Sequence, residues 1–275
     1  MKEMKIGFIG YGNMAQAIAT GLIASKAAAG SRMCACAGNF DKLCRNAEKK
    51  GIVPLRTAEE VIENSDFVIL AVKPYMVEAV VEPIKGRLKD KTVISVAAGY
   101  DFERYEEILE PGTHHISTIP NTPVSVCEGI FICESRHSLS GEELDAFVSL
   151  FQKISLIEFV DSVHLSSAGT LSGCTPALTA MYMEALGDAG VKYGISRETA
   201  YRMAAQMIVG TGKLYLETGT HPGAMKDMVC SPGGTTIRGV SALEKRGFRG
   251  TVIDAIDAIE ENRQKYYGST LFIIS

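Results

Sequence analysis

Near its start the chain reads Lys5-Ile-Gly-Phe-Ile-Gly10-Tyr-Gly12-Asn-Met-Ala15. A short apolar run ends in two closely spaced glycines, and a helical pattern follows over residues 15–25. Few backbones accept this order. Gly10 permits a tight turn, Gly12 leaves the main chain open to close approach, and Ala15 lets helix and strand pack closely. The helix start directs N–H groups and partial positive charge outward, which suits the pyrophosphate of a dinucleotide. Gly10, Gly12, Asn13 and Met14 are therefore candidate cofactor-binding residues.

The rest of the first half repeats the strand-then-helix order. Strands are expected over 33–37, 52–55, 66–72, 92–96, 115–118, 129–133 and 156–160. Helices are expected over 41–50, 57–63 (with Thr57 as cap), 75–85, 101–109 and 141–153. Strands as continuously apolar as Asp66-Phe-Val-Ile-Leu-Ala-Val72 imply a parallel sheet covered on both faces. Beyond about residue 160 the strand pattern stops, and 175–193, 197–218, 235–245 and 249–266 all read as helices. Met181, Met183, Met203 and Met207 leave the first two apolar on several sides, so they need a partner surface, such as a second subunit. The expected architecture is α/β: a Rossmann-like dinucleotide-binding domain over 1–160, then an all-helical substrate and dimerisation domain over 161–275.

In an open α/β sheet, ligands bind beyond the carboxyl ends of the strands. Ala71-Val72-Lys73-Pro74, Val96-Ala97-Ala98-Gly99 and Ile119-Pro-Asn121-Thr-Pro123 all stand there, so Val72, Lys73, Pro74, Ala97, Ala98 and Asn121 join the cofactor candidates. The second strand ends Cys36-Ala-Gly-Asn39-Phe, without the acid that would bind a ribose 2′-hydroxyl and repel a 2′-phosphate. Asn39, with Lys42 or Arg45 nearby, could accept that phosphate, so NADPH is the expected cofactor, with NADH as the alternative.

A second glycine loop, Ser231-Pro-Gly233-Gly234-Thr235-Thr236, opens a late helix. A plain helix start accounts for Ser231 as cap and Pro232 in the first turn. It leaves two glycines that would weaken that turn by about 1 kcal/mol each. A helix N-terminus edged with glycines and hydroxyls suits a carboxylate.

Lys+Arg number 28 against Asp+Glu 32, and no basic run exceeds two residues, so no nucleic-acid partner is expected. No signal peptide or 18-residue apolar stretch is expected to direct the chain to or through a membrane. The seven cysteines form no C-x-x-C pair and read as reduced thiols of a cytoplasmic protein. His114 and His115 point opposite ways along a strand, and no Cys/His spacing suits a metal.

The run from His221 through Cys230-Ser-Pro-Gly-Gly-Thr-Thr-Ile-Arg-Gly-Val-Ser-Ala-Leu-Glu244 closely resembles the signature of pyrroline-5-carboxylate reductases. Phe8 to Ala15, Ala71-Val-Lys-Pro74, Ala97-Ala-Gly99 and Pro120-Asn-Thr-Pro123 resemble that family's segments in the same order. The resemblance implies hydride transfer from NAD(P)H to 1-pyrroline-5-carboxylate, giving L-proline. It implies a substrate site in the helical domain of an interlocked dimer or a larger homo-oligomer such as a decamer. It assigns Ser231, Gly233, Gly234, Thr235 and Thr236 to the substrate and Thr236 to the ring nitrogen as the catalytic contact. Leu171-Ser-Gly-Cys174-Thr175-Pro-Ala177 departs from the family's Ser-Gly pair, and Ser162 stands where many members carry an acid. Three other readings stay open: a reductase of a related cyclic imine acid, a β-hydroxyacid dehydrogenase-like reductase, and a non-catalytic nucleotide-binding protein. The second requires a lysine on the first long helix, and residues 175–184 contain none.

Overall fold

A computed structural model describes residues 4–267. The chain divides into two compact units, one up to Gly173 and one from Cys174 onward.

The first unit is built on an eight-stranded sheet in the order β3-β2-β1-β4-β5-β6-β7-β8. The strands are β1 (Ile6–Ile9), β2 (Met33–Cys36), β3 (Val53–Pro54), β4 (Phe67–Leu70), β5 (Thr92–Ser95), β6 (His114–Pro120), β7 (Gly129–Glu134) and β8 (Ser155–Val160). Between them run α1 (Asn13–Ala24), α2 (Phe40–Glu48), α3 (Ala58–Glu63), α4 (Val77–Val81), α5 (Lys85–Leu88), α6 (Phe102–Ile108) and α7 (Gly141–Phe151), and α8 (Leu165–Gly173) follows β8. The first six strands are parallel and the chain reverses direction across the sheet between β1 and β4. This is the doubly wound dinucleotide-binding order, whose switch point opens at the carboxyl ends of β1 and β4.

Strand periodicity explains why such apolar segments form a two-sided sheet. Ile6 and Phe8 of β1, Phe67 and Ile69 of β4, and Ile94 of β5 belong to one buried cluster. Ile9, Val68, Leu70 and Val93 alternate onto the other face, against Tyr105 of α6. Each large apolar side chain buried in this way contributes about 1.5–3 kcal/mol.

Three expectations need correction. The sheet is not parallel throughout, because β7 runs antiparallel to β6. The link over residues 121–128 is shorter than the dozen or so residues a parallel crossover needs, so the chain folds back. The helix expected over 75–85 is broken into a 3-10 turn at Pro74–Met76, α4 and α5. Pro83 lacks an N–H and cannot continue it. The Ser- and Gly-rich α8 carried no helical pattern, yet it packs against β6 and β7 with Thr170 and Ser172 buried. It packs as part of the first compact unit, which runs to Gly173.

The second unit holds α9 (Thr175–Lys192), α10 (Arg197–Thr218), α11 (Pro222–Met228), α12 (Thr235–Lys245) and α13 (Phe248–Tyr267). The α9 and α10 helices pack closely, since a Cβ on Gly187 would lie 2.3 Å from the Tyr201 ring. Among the described residues of this unit only Gly187, Ala200 and Ala204 are buried. Met181, Met203, Leu216, Val252 and Ile253 stay exposed. So small a core cannot hold these helices as a free-standing body, and the apolar faces require a covering surface.

Candidate active site

The first glycine loop lies at the carboxyl end of β1, beside β4. Gly10 has φ +92°, and an added Cβ would lie 2.6 Å from the Ala71 carbonyl oxygen. Its N–H donates to Cys36 O at 3.0 Å, which ties the turn to the end of β2. Gly12 differs. It precedes α1 at φ −79° with no side chain capping the helix, and a Cβ there would meet nothing within 4 Å. The first turn of α1 carries no acid. Open space, an uncapped helix start and the exposed residues Gly12 and Asn13 together fit an anionic group. Ala15 is fully buried. Between the glycines, the Tyr11 ring is buried against Phe8, and burial pushes its hydroxyl up to about 12.

At the carboxyl end of β2, Asn39 caps α2, its side-chain oxygen accepting from Lys42 N at 2.9 Å. The sequence did not point to the cation beside it. Leu55 N donates to Ala35 O at 2.8 Å, which brings the end of β3 level with the end of β2. The next residue, Arg56, lays its guanidinium over the Phe40 ring at 4.3 Å from the centroid. Only the pairing of β2 with β3 could have revealed this, since the two residues are far apart in the chain.

The carboxyl ends of β4, β5 and β6 complete this edge. Val72 lies against Gly10, and a Cβ there would come within 2.9 Å of Val72 Cγ1. The exposed Lys73 precedes Pro74 and its 3-10 turn. The Ala97 N–H donates to Ser95 Oγ at 3.2 Å, and Ser95 Oγ shares a 2.6 Å hydrogen bond with the buried Tyr105 hydroxyl. That leaves Ala97 and Ala98 as small groups on a braced strand end.

Asn121 is placed differently from the other candidates. Its Oδ1 accepts from Ile130 N at 2.9 Å and its Nδ2 donates to Ser172 O at 3.0 Å. The side chain therefore joins β7 to the end of α8. Ser162, which stands where many members of the resembled family carry an acid, donates to Glu134 Oε1, while Glu134 Oε2 accepts from Phe102 N at 2.7 Å. The Glu134 carboxylate belongs to β7, and burial raises its pKa. His114 and His115 do diverge, toward Glu143 and Glu106 respectively.

The second glycine loop lies in the second unit. The helix begins at Thr235 with Gly234 before it, so Ser231 is not its cap and neither glycine lies in its first turn. Ser231 to Gly234 instead form a turn closed by Gly234 N to Ser231 O at 3.0 Å. Gly233 has φ +69°, as a type II turn with proline before it demands. A Cβ on Gly234 would lie 2.5 Å from Ser231 Oγ. Turn geometry thus accounts for both glycines. The turn delivers Thr235 and Thr236, both exposed, to a helix start with no side-chain cap and no acid in its first turn. Such a terminus can accept a carboxylate.

Comparison with known proteins agrees with both units. Residues 5–99 match the family model described as NADP oxidoreductase coenzyme F420-dependent, and residues 163–266 match pyrroline-5-carboxylate reductase dimerisation. The pyrroline-5-carboxylate reductase of Treponema pallidum is 40% identical over 259 residues, covering 93% of this chain and 98% of that protein. That of Escherichia coli is 38% identical over 264 residues, covering 96% and 98%. The crystal structure of Plasmodium falciparum pyrroline carboxylate reductase with NADP bound superposes with a TM-score of 0.85 at 29% identity, covering 96% and 98%. Near-complete coverage at this identity, with the two glycine loops each at the start of its own helix, establishes that the chain belongs to the pyrroline-5-carboxylate reductase family.

Proposed function

We propose that this protein reduces 1-pyrroline-5-carboxylate to L-proline with NADPH, the last step of proline biosynthesis, with NADH as a weaker donor. The observation that carries the reading is the pair of glycine-gated, uncapped helix starts, one suited to a pyrophosphate and one to a small carboxylate. The NADP in the Plasmodium relative and the absence of an acid at the end of β2 support the choice of NADPH.

Gly10, Gly12, Asn13 and Met14 would hold the pyrophosphate at the start of α1, and Asn39 would face the adenosine ribose. Val72, Lys73, Pro74, Ala97 and Ala98 would line the nicotinamide half. Bound there, the reduced nicotinamide supplies the hydride for the imine carbon of the ring. Backbone N–H groups of the turn from Ser231 and of the first turn of α12 would hold the ring carboxylate. The Thr236 hydroxyl would meet the ring nitrogen, which carries the proton. A protonated imine accepts hydride without a strong general acid, so the residues act mainly by placement. The free thiols of all seven cysteines support a cytoplasmic setting. No helix among the described residues is long and apolar enough to cross a membrane. The matched dimerisation segment and the thin core of the second unit support a homodimer or a larger homo-oligomer.

The test is NADPH oxidation at 340 nm with racemic pyrroline-5-carboxylate, with NADH and with the six-membered imine acid as comparisons. Rapid turnover of the five-membered ring is expected. Turnover of only the six-membered ring would overturn the substrate. Thr236→Ala should lower kcat/KM about 10- to 100-fold with NADPH binding unchanged. Equal loss of both would mean that the loop serves folding.

A further inference from the structure

We infer that Arg56, at the end of β3, is the residue that reads the 2′-phosphate of the cofactor, an inference that rests on the NADPH reading above. In a doubly wound sheet the adenosine ribose lies beyond the end of the second strand, where an acid would select against a 2′-phosphate. Here that strand end passes into Ala37, Gly38 and Asn39, and the Asn39 side-chain oxygen is engaged in capping α2. A carboxamide so engaged brings no positive charge to a phosphate dianion.

Arg56 brings that charge from the neighbouring strand. The parallel pairing of Cys34 with Val53 and Ala35 with Pro54 carries the chain to the same edge. The guanidinium stacks on Phe40, the residue directly after Asn39. Stacking on an aromatic face holds the planar group in place and leaves its N–H edge free for a phosphate. Among the described residues no carboxylate is paired with this guanidinium, although it is exposed. Glu60 spends one carboxylate oxygen on the Arg56 and Thr57 N–H groups at 2.7 and 3.1 Å. Asp41 sits in the first turn of α2. The guanidinium thus supplies positive charge beside a strand end that carries no acid of its own. Lys42 and Arg45 lie on α2 itself and take no part in the stack.

The experiment is calorimetric binding of 2′,5′-ADP and of 5′-ADP to the full-length protein and to Arg56→Ala, Arg56→Lys, Lys42→Ala and Arg45→Ala, with a thermal melt of each. Arg56→Ala should weaken 2′,5′-ADP about 10- to 100-fold and leave 5′-ADP within about twofold. Arg56→Lys keeps the charge without the fork and should fall between. In turnover, Arg56→Ala should raise KM for NADPH with kcat and the NADH reaction little changed. Equal weakening of both nucleotides, or a 2′-phosphate effect confined to Lys42→Ala or Arg45→Ala, would overturn the assignment. A wild-type protein that binds 5′-ADP and 2′,5′-ADP equally would remove the NADPH reading and this assignment with it. A wild type that discriminates while Arg56→Ala discriminates equally well would remove the assignment alone.

Discussion

Substituting alanine at the two glycines of the first loop should have opposite consequences, although the residues are two positions apart. At Gly10 the backbone has φ +92°, where an L-residue is penalised by about 1–2 kcal/mol. The new Cβ would also lie 2.6 Å from the Ala71 carbonyl oxygen and 2.8 Å from its carbon. Neither is the flexible end of a side chain, so β1 and β4 must separate, at about 1–3 kcal/mol more. The combined loss of about 2–5 kcal/mol is a large share of a typical stability of 5–15 kcal/mol. At about 2–4 °C per kcal/mol, the melting temperature of Gly10→Ala should fall by roughly 4–20 °C. At Gly12 the backbone is in ordinary extended geometry and the Cβ position is open. Alanine there loses a good N-terminal residue of the helix but stiffens the unfolded chain, and these effects nearly cancel to within about 1 kcal/mol. The methyl group would occupy the space into which the pyrophosphate must come. Gly12→Ala should therefore melt within about 4 °C of wild type while NADPH binding weakens at least about tenfold. Differential scanning fluorimetry with and without NADPH, and a fluorescence titration, measure both. A Gly12→Ala protein that binds NADPH as wild type does would refute the assignment of this loop to the cofactor. One that melts as low as Gly10→Ala would show a purely structural glycine.

Three further outcomes are expected. Asn121→Ala leaves the Ile130 N–H and the Ser172 carbonyl without the side-chain partner each now has. It should cost about 2–4 kcal/mol in denaturant unfolding; a loss below about 0.5 kcal/mol would mean that α8 is held without it. His115 is buried and its pKa is lowered, chiefly by desolvation, despite the Glu106 contact that favours the charged form. The unfolded chain binds the proton more readily, so this contribution is intact above about pH 6.5 and is lost as pH falls through the lower folded value. Chemical denaturation between pH 7.5 and 5.5 should show a shallower pH slope in His115→Gln than in wild type, and an identical slope would contradict this. Light scattering at micromolar concentration should find at least a dimer, and Met203→Glu with Leu216→Glu should dissociate it with loss of helical signal. A monomer that stays folded on dilution would mean that the second unit supports itself.

The sequence alone determined the features that depend on local chemistry. Continuous apolar runs marked strands buried on both faces, Thr57 and Asp101 stood where helices begin, and the long helices over 175–218 were legible from their pattern. The glycine loops were legible for the same reason, since glycine adopts the positive-φ backbone of Gly10 and Gly233 without the cost other residues bear. Tertiary structure decided what depends on pairing. The reversal of β7 followed from a link too short to cross over. The helix α8 exists because burial overrides weak propensity. Asn121 was visible as a strand-end residue, but its hydrogen bonds to Ile130 and Ser172 span segments that no local pattern connects. Arg56 reaches Phe40 only because β3 lies beside β2. Motif spacing records what the backbone must do nearby, whereas the charge at a site is the sum of whatever strands the fold brings to that edge.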